Sequence, residues 1–149
     1  MKERDGRDLI QALLTDQLVA VLATDADGQP YTTLVGFAAS DDLRYIYFVT
    51  TRSTRKFAAL RASPKVSLLI DNRSNALRDF REAAAITALG KAEEVDKDDH
   101  ADLIRRYLDR LPHLGEFIRS PTSALVRVQV DVYYLVTRFQ QVMELHIQK

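Results

Sequence analysis

The chain has 149 residues, 46% of them hydrophobic and 28% charged, a balance that supports a folded core and argues against disorder. Lys plus Arg and Asp plus Glu both number 21, so the formal net charge is zero, which disfavours a nucleic-acid protein held by phosphate neutralisation. The absence of cysteine excludes disulfides, thiolate catalysis and cysteine-ligated zinc or iron–sulfur sites.

No apolar run reaches the roughly 18 residues of a membrane span. The first residues, Met-Lys-Glu-Arg-Asp-Gly-Arg, lack the apolar stretch of a signal peptide. The expectation is therefore a single cytoplasmic domain over residues 1–149, without membrane or nucleic-acid partners.

Taken in chain order, residues 5–15 carry Leu9, Ile10, Leu13 and Leu14 at helical spacing behind Asp5 as a cap, a helix suited to cover a barrel end. Residues 19–24 form a first strand, and Asp27-Gly28 suits a tight hairpin into a second strand over 31–38. A third strand, 45–49, is aromatic and β-branched. Short turns between these three strands predict an antiparallel meander. No Gly-x-Gly-x-x-Gly is present, which disfavours a dinucleotide fold.

After the third strand the composition changes to hydroxyls and cations: Thr50, Thr51, Arg52, Ser53, Thr54, Arg55, Lys56. Phe57, Leu60 and Arg61 then continue at helical spacing until Ser63-Pro64 stops the helix. Ser53 or Thr54 can cap it, and its N-terminus offers unpaired N–H groups beside two full positive charges. That is the chemistry of an anion site suited to a phosphate monoester, though a capped helix with solvated cations would read the same way.

A fourth strand, 66–70, ends in the turn-forming Asp71-Asn72-Arg73-Ser74-Asn75. Asn72 and Asn75 either cap that turn or offer amide groups to a ligand edge. Ala83-Ala84-Ala85 opens a fifth strand through Leu89, its small side chains leaving room for a partner strand or a flat ring. Asp96 caps a helix with Ile104, Leu108 and Leu111 facing inward, and with Arg105, Arg106 and Arg110 as its solvated face. From Thr122 to Ile147 apolar and polar residues alternate without Gly or Pro, so the run must bend around a barrel or break near Arg138-Phe139-Gln140-Gln141. The three histidines lack metal-ligand spacing, and no metal site is expected.

The run Gly28-Gln29-Pro30-Tyr31, then Tyr45-Ile-Tyr-Phe-Val-Thr, then Ser53-Thr54-Arg55-Lys56, then Pro64-Lys-Val-Ser-Leu-Leu, closed by Gly90-Lys91-Ala92-Glu93, resembles the pyridoxamine 5′-phosphate oxidase-related family over about residues 18–95. The resemblance implies a mainly β (β+α) fold: an antiparallel six- to seven-stranded FMN-binding split barrel with peripheral helices. It implies that Arg55 and Lys56 hold a flavin phosphate, that Thr50 touches the cofactor and that Thr51 and Thr54 add hydroxyls. It places the second strand, Thr33, Leu34, Val35 and Gly36, along the isoalloxazine, with Gly36 letting the ring lie close. Asn72 and Asn75 would read a flavin or ribityl edge. Relatives pair two barrels about a two-fold axis, so a homodimer sharing the flavin and a small-molecule redox substrate is expected.

The chain also departs from the oxidases that make pyridoxal phosphate. Thr33 and Ala38 stand where those enzymes carry Arg and Lys, and the chain ends Glu-Leu-His-Ile-Gln-Lys in place of their Arg-Leu-His-Asp-Arg element. The vitamin-oxidase activity is therefore not expected. The expectation is an FMN-dependent oxidoreductase with no assigned catalytic residue. The alternatives are a non-enzymatic flavin-binding or storage protein, or a split barrel using F420 or haem.

Overall fold

A computed structural model describes residues 2–148. Helix α1 (Glu3–Asp16) is followed by strands β1 (Val19–Ala26), β2 (Gln29–Gly36), β3 (Ala38–Ala39) and β4 (Tyr45–Thr51), helix α2 (Arg55–Ala62), strand β5 (Lys65–Asp71), helix α3 (Asp79–Glu82) and strand β6 (Ala84–Val95). Helices α4 (Ala101–Arg110) and α5 (Gly115–Arg119) precede the long β7 (Ser123–Thr137) and β8 (Gln141–His146).

The sheet runs β2-β1-β5-β6-β7-β4-β3, every described pairing is antiparallel, and β8 pairs with β7. Only Phe37 separates β2, which pairs with β1, from β3, which pairs with β4. One segment thus joins both ends of the strand order and closes the barrel. The split lies on β7. One edge of it pairs with β6 throughout, while the other pairs first with β4 and then with β8.

The alternation that marks these strands fills the barrel. Leu22, Val35, Ile46, Phe48, Leu68, Ile70, Ile86, Val126, Val128 and Val130 are buried in one cluster, and α1 plugs its end with Ile10, Leu13 and Leu14. At β7 the alternation changes phase. Leu89 faces Val132 but Gly90 faces Val130, so Asp131 is an extra residue, and the core positions beyond it are Tyr133 and Leu135. Gly90 is required there, since a Cβ would lie 2.2 Å from the Gln129 carbonyl oxygen. The outer face of β4 and the start of β7 is covered within the chain: Tyr47, Val49 and Leu125 pack on Tyr107, Leu111 and Ile118 of the α4–α5 region.

Several expectations need correction. Helix α1 starts at Glu3 with Lys2 before it, and no side chain caps it, so Asp5 lies inside the helix. The fifth strand runs on to Val95. The predicted second strand is two strands, interrupted at Phe37. Of the two outcomes expected for the run after Thr122, it takes the break near Arg138-Phe139-Gln140-Gln141, at a turn where Arg138 and Phe139 have φ of 53° and 60°. Asp27 and Gly28, with φ of 53° and 82°, form the expected hairpin.

Arg110 is the clearest departure. It does not lie on a solvated face: its guanidinium donates to the carbonyl oxygens of Phe37 (3.1 Å), Thr15 (2.8 Å) and Gln17, and lies over the Phe37 ring. Arg105, beside Asp102, and Arg106 keep the exposed position expected of them, Arg106 while bonding the Ala39 carbonyl and Asp41. Replacing Arg110 with leucine should lower stability by about 2–3 kcal/mol, because charge-assisted bonds are lost and half-buried carbonyls are left without donors. Urea unfolding of the variant checks this.

Candidate functional site

The polar turn and the start of α2 form one hydrogen-bonded unit. The Thr54 hydroxyl donates to the Thr51 carbonyl (2.8 Å), accepts from the Phe57 N–H (3.3 Å) and lies 3.1 Å from the buried Thr50 hydroxyl. Thr54 is therefore the N-cap, with its hydroxyl committed to the turn. Thr50 braces it from the strand side. The hydroxyls of Thr51 and Ser53 have no partner among the described residues, nor do the backbone N–H groups of Arg55 and Lys56, since the first helical bond runs from the Ala58 N–H to the Thr54 carbonyl.

The cations of the turn are placed differently. Arg52 is drawn away to the Pro121 carbonyl and the Glu94 carboxylate. Arg55 is exposed, with its guanidinium 5.4 Å above the Tyr31 ring of β2. Lys56 is half-buried, and burial pushes its ammonium below the ordinary lysine value. No carboxylate among the described residues pairs with it. A partly desolvated ammonium without a counter-ion, at a helix N-terminus with two open N–H groups, is a site arranged for an anion.

Strand register places the other predicted residues. Tyr31 faces Thr24 on β1, and the neighbouring Ala23 faces Ser67 near the start of β5. Tyr31, Thr33 and Val35 share one face of β2, with Val35 in the core, while Leu34 is 67% exposed on the other. Thr33 is thus two residues from the ring under Arg55, and the strand leads away from the turn towards Gly36. The space beside Gly36 is not open to a flat ring, because a Cβ there would meet Leu111 Cδ1 at 2.7 Å and the Tyr107 hydroxyl at 3.7 Å. Tyr107 donates to the Gly36 carbonyl at 3.0 Å, and burial pushes its phenol up to about 12, keeping it protonated as that donor.

The asparagines are not brought to the turn. Asp71, at the far end of β5, is four residues beyond Ser67, roughly 13 Å along the strand. Asn72 Oδ1 accepts from the Ala84 N–H at 2.8 Å, so the side chain closes the connection to β6. Asn75, with φ of 61°, lies in a groove at that end. Tyr31, which the sequence analysis did not assign to the site, lies under the Arg55 guanidinium. The signal was its place two residues before Thr33 on the face turned towards Arg55.

The family model for pyridoxamine 5′-phosphate oxidase matches residues 7–137. The chain belongs to the pyridoxamine 5′-phosphate oxidase family. Solved structures agree on the fold. A heme binding protein from Mycobacterium smegmatis superposes with a TM-score of 0.83 at 17% identity, over 95% of this chain and 57% of that one. A FAD-binding protein from Mesorhizobium loti gives 0.69 at 20% identity, over 91% and 94%. HutZ, the heme storage protein from Vibrio cholerae, gives 0.73 at 19% identity, over 87% and 92%. The chain thus spans little more than half of the first of these and nearly all of the other two. A search of curated protein sequences found no match.

Within this pyridoxamine 5′-phosphate oxidase fold, no group of three or more His, Asp or Glu among the described residues is placed to hold a metal ion. His146 is exposed and bonded to Glu144 at 3.0 Å. No helix among the described residues is long and apolar enough to cross a membrane.

Proposed function

We propose that this protein binds FMN and serves as a flavin-dependent oxidoreductase acting on a small-molecule substrate. The observation that carries the reading is Lys56: a half-buried ammonium with no counter-ion, beside Arg55 and the open N–H groups that begin α2. The flavin phosphate would meet those N–H groups, both cations and the free hydroxyls of Thr51 and Ser53. Thr50 and Thr54 would act on it through the turn they hold. The isoalloxazine would lie along β2 on the face of Tyr31 and Thr33, and the flavin, when bound, supplies the electron-transfer chemistry. This chain's residues fix its position and exclude water from one side.

Titration of FMN into the protein should quench flavin fluorescence with about one FMN per chain. Absence of binding at tens of micromolar would refute the reading. Steady-state reduction of the bound flavin by NADH or NADPH in the presence of an acceptor separates an oxidoreductase from a flavin-storage protein.

The exposed Leu18, just before β1, with Val19 on β1 and Leu34 on β2, suits contact with a second copy of the chain. Light scattering should return a mass near twice 16.9 kDa at micromolar concentration. A monomer that still binds FMN tightly would show that one chain suffices. Haem is a second reading, favoured by the haem-binding names of two structural relatives. The visible spectrum of the purified protein separates it from flavin and from F420.

A further inference from the structure

A cavity of about 290 Å³ lies between helices α1 and α4, beside β3 and the turn that leads into β4. Its floor is apolar, made by the buried Leu14, Ala38 and Leu43. Gln11 and Thr15 of α1 form one wall, and Arg106, Asp109 and Arg110 of α4 form the other, with Asp41 at the turn. The polar turn before α2 follows the opposite end of β4, roughly 20 Å along the strand, so the two places are separate.

Two guanidinium groups one helical turn apart line this cavity, and like charges at that spacing disfavour a helix. Arg106 is offset by Asp41, whose Oδ1 accepts from its Nη2 at 2.9 Å, leaving Nε and Nη1 without a partner among the described residues. Arg110 is half-buried and bonded only to neutral carbonyl oxygens, those of Phe37, Thr15 and Gln17. Burial and the neighbouring Arg106 hold its guanidinium below the ordinary arginine value, and Asp16 acts on it only through space. Each of its terminal nitrogens keeps a second N–H. The Asp109 carboxylate has no partner among the described residues. Once Arg106 and Asp41 are matched, one cation and one anion without a bonded ion partner line the cavity. A ligand with one charge of each sign completes both, whereas a singly charged ligand would leave one of them opposed. The volume is at the small end of ligand sites, about 300–1,000 Å³, which suits a molecule far smaller than a nucleotide.

We propose that this cavity binds a free α-amino acid with a small aliphatic side chain. Its carboxylate would lie on the Arg106 and Arg110 guanidinium groups, its ammonium on the Asp109 carboxylate, and its side chain on the floor of Leu14, Ala38 and Leu43. The site stands on its own lining and does not depend on the flavin reading.

The test is calorimetric titration at low salt with L-valine and two analogues that each lack one charge: isovalerate, without the ammonium, and isobutylamine, without the carboxylate. Wild-type protein should bind about one valine per chain, and each analogue about tenfold or more weakly, since each loses one charge-assisted contact. Asp109→Asn should bring valine down to the affinity of isovalerate and leave isovalerate no weaker than before. Arg106→Gln should weaken valine and isovalerate alike and leave isobutylamine unchanged. Both variants alter exposed side chains and should keep the circular dichroism and the FMN affinity of the wild type. Arg110 is left intact because its bonds also hold the fold. Three results would overturn the proposal: no binding of valine to the wild type at about ten millimolar, equal binding of valine and isovalerate by the wild type, or unchanged valine affinity in both variants. Parallel loss of FMN and valine in the variants would also overturn it, because the side chains would then act through the whole fold.

Discussion

Changing Arg55 and Lys56 together to alanine should weaken FMN by about two to four powers of ten and leave the already poor affinity for riboflavin nearly unchanged. The two ligands differ in the phosphate, and the pair supplies charge-assisted bonds worth on the order of 3–6 kcal/mol together. The circumstances of Lys56 set the direction. Burial holds its ammonium below the ordinary lysine value and no anion is paired with it, so an arriving phosphate finds a charge that needs compensation. Arg55 is exposed and should contribute the smaller share. Parallel fluorescence titrations with FMN and riboflavin check the outcome. Equal losses for both ligands would mean that the pair acts by holding the fold.

The second large effect concerns stability. Gly90→Ala should cost about 3 kcal/mol, at the upper end of what overpacking usually does. The added Cβ would lie 2.2 Å from the Gln129 carbonyl oxygen and 3.0 Å from Val128 Cγ1, and the first of these is backbone and cannot rotate away. Relief would require moving β6 from β7 beside the extra residue Asp131, where the register already shifts. Urea unfolding should show a lower midpoint with an unchanged slope. An alanine variant as stable as the parent would show that the two strands separate there at little cost.

Much of the barrel could be read in the sequence because strand alternation and burial have the same cause. Leu22, Phe48, Leu68 and Val128 recur at every second position and point into one core. The polar turn capping α2 could be read for a related reason, since hydroxyl and cationic residues crowd between an apolar strand and a helix. What alternation cannot show is an added residue such as Asp131, which reverses the inward face without changing composition. Nor does it reveal a turn built from Arg138 and Phe139, because left-handed positions are expected at Gly or Asn.

The site was less legible for long-range reasons. Arg110 lies where a solvated helix face was expected, yet its bonds reach Thr15, Gln17 and Phe37, distant in sequence and adjacent only in the fold. Gly36 was assigned to a flat ring because a missing side chain leaves room, but Leu111 fills that room. Asn72 and Asn75 carry the right amides, yet β5 holds them away from the turn.

The position of β7 in the strand order also shapes how the chain can fold. Its neighbours β6, β4 and β8 come from three separate parts of the sequence, and Thr51 on β4 meets Ser123 across an intervening span of 71 residues. During synthesis, β4 has no partner along that edge until residues 123–137 have been made. Until then Ile46 and Phe48 border an unpaired edge of the kind that recruits other chains. Late arrival of the central strand gives high contact order, and with it slow closure of the barrel.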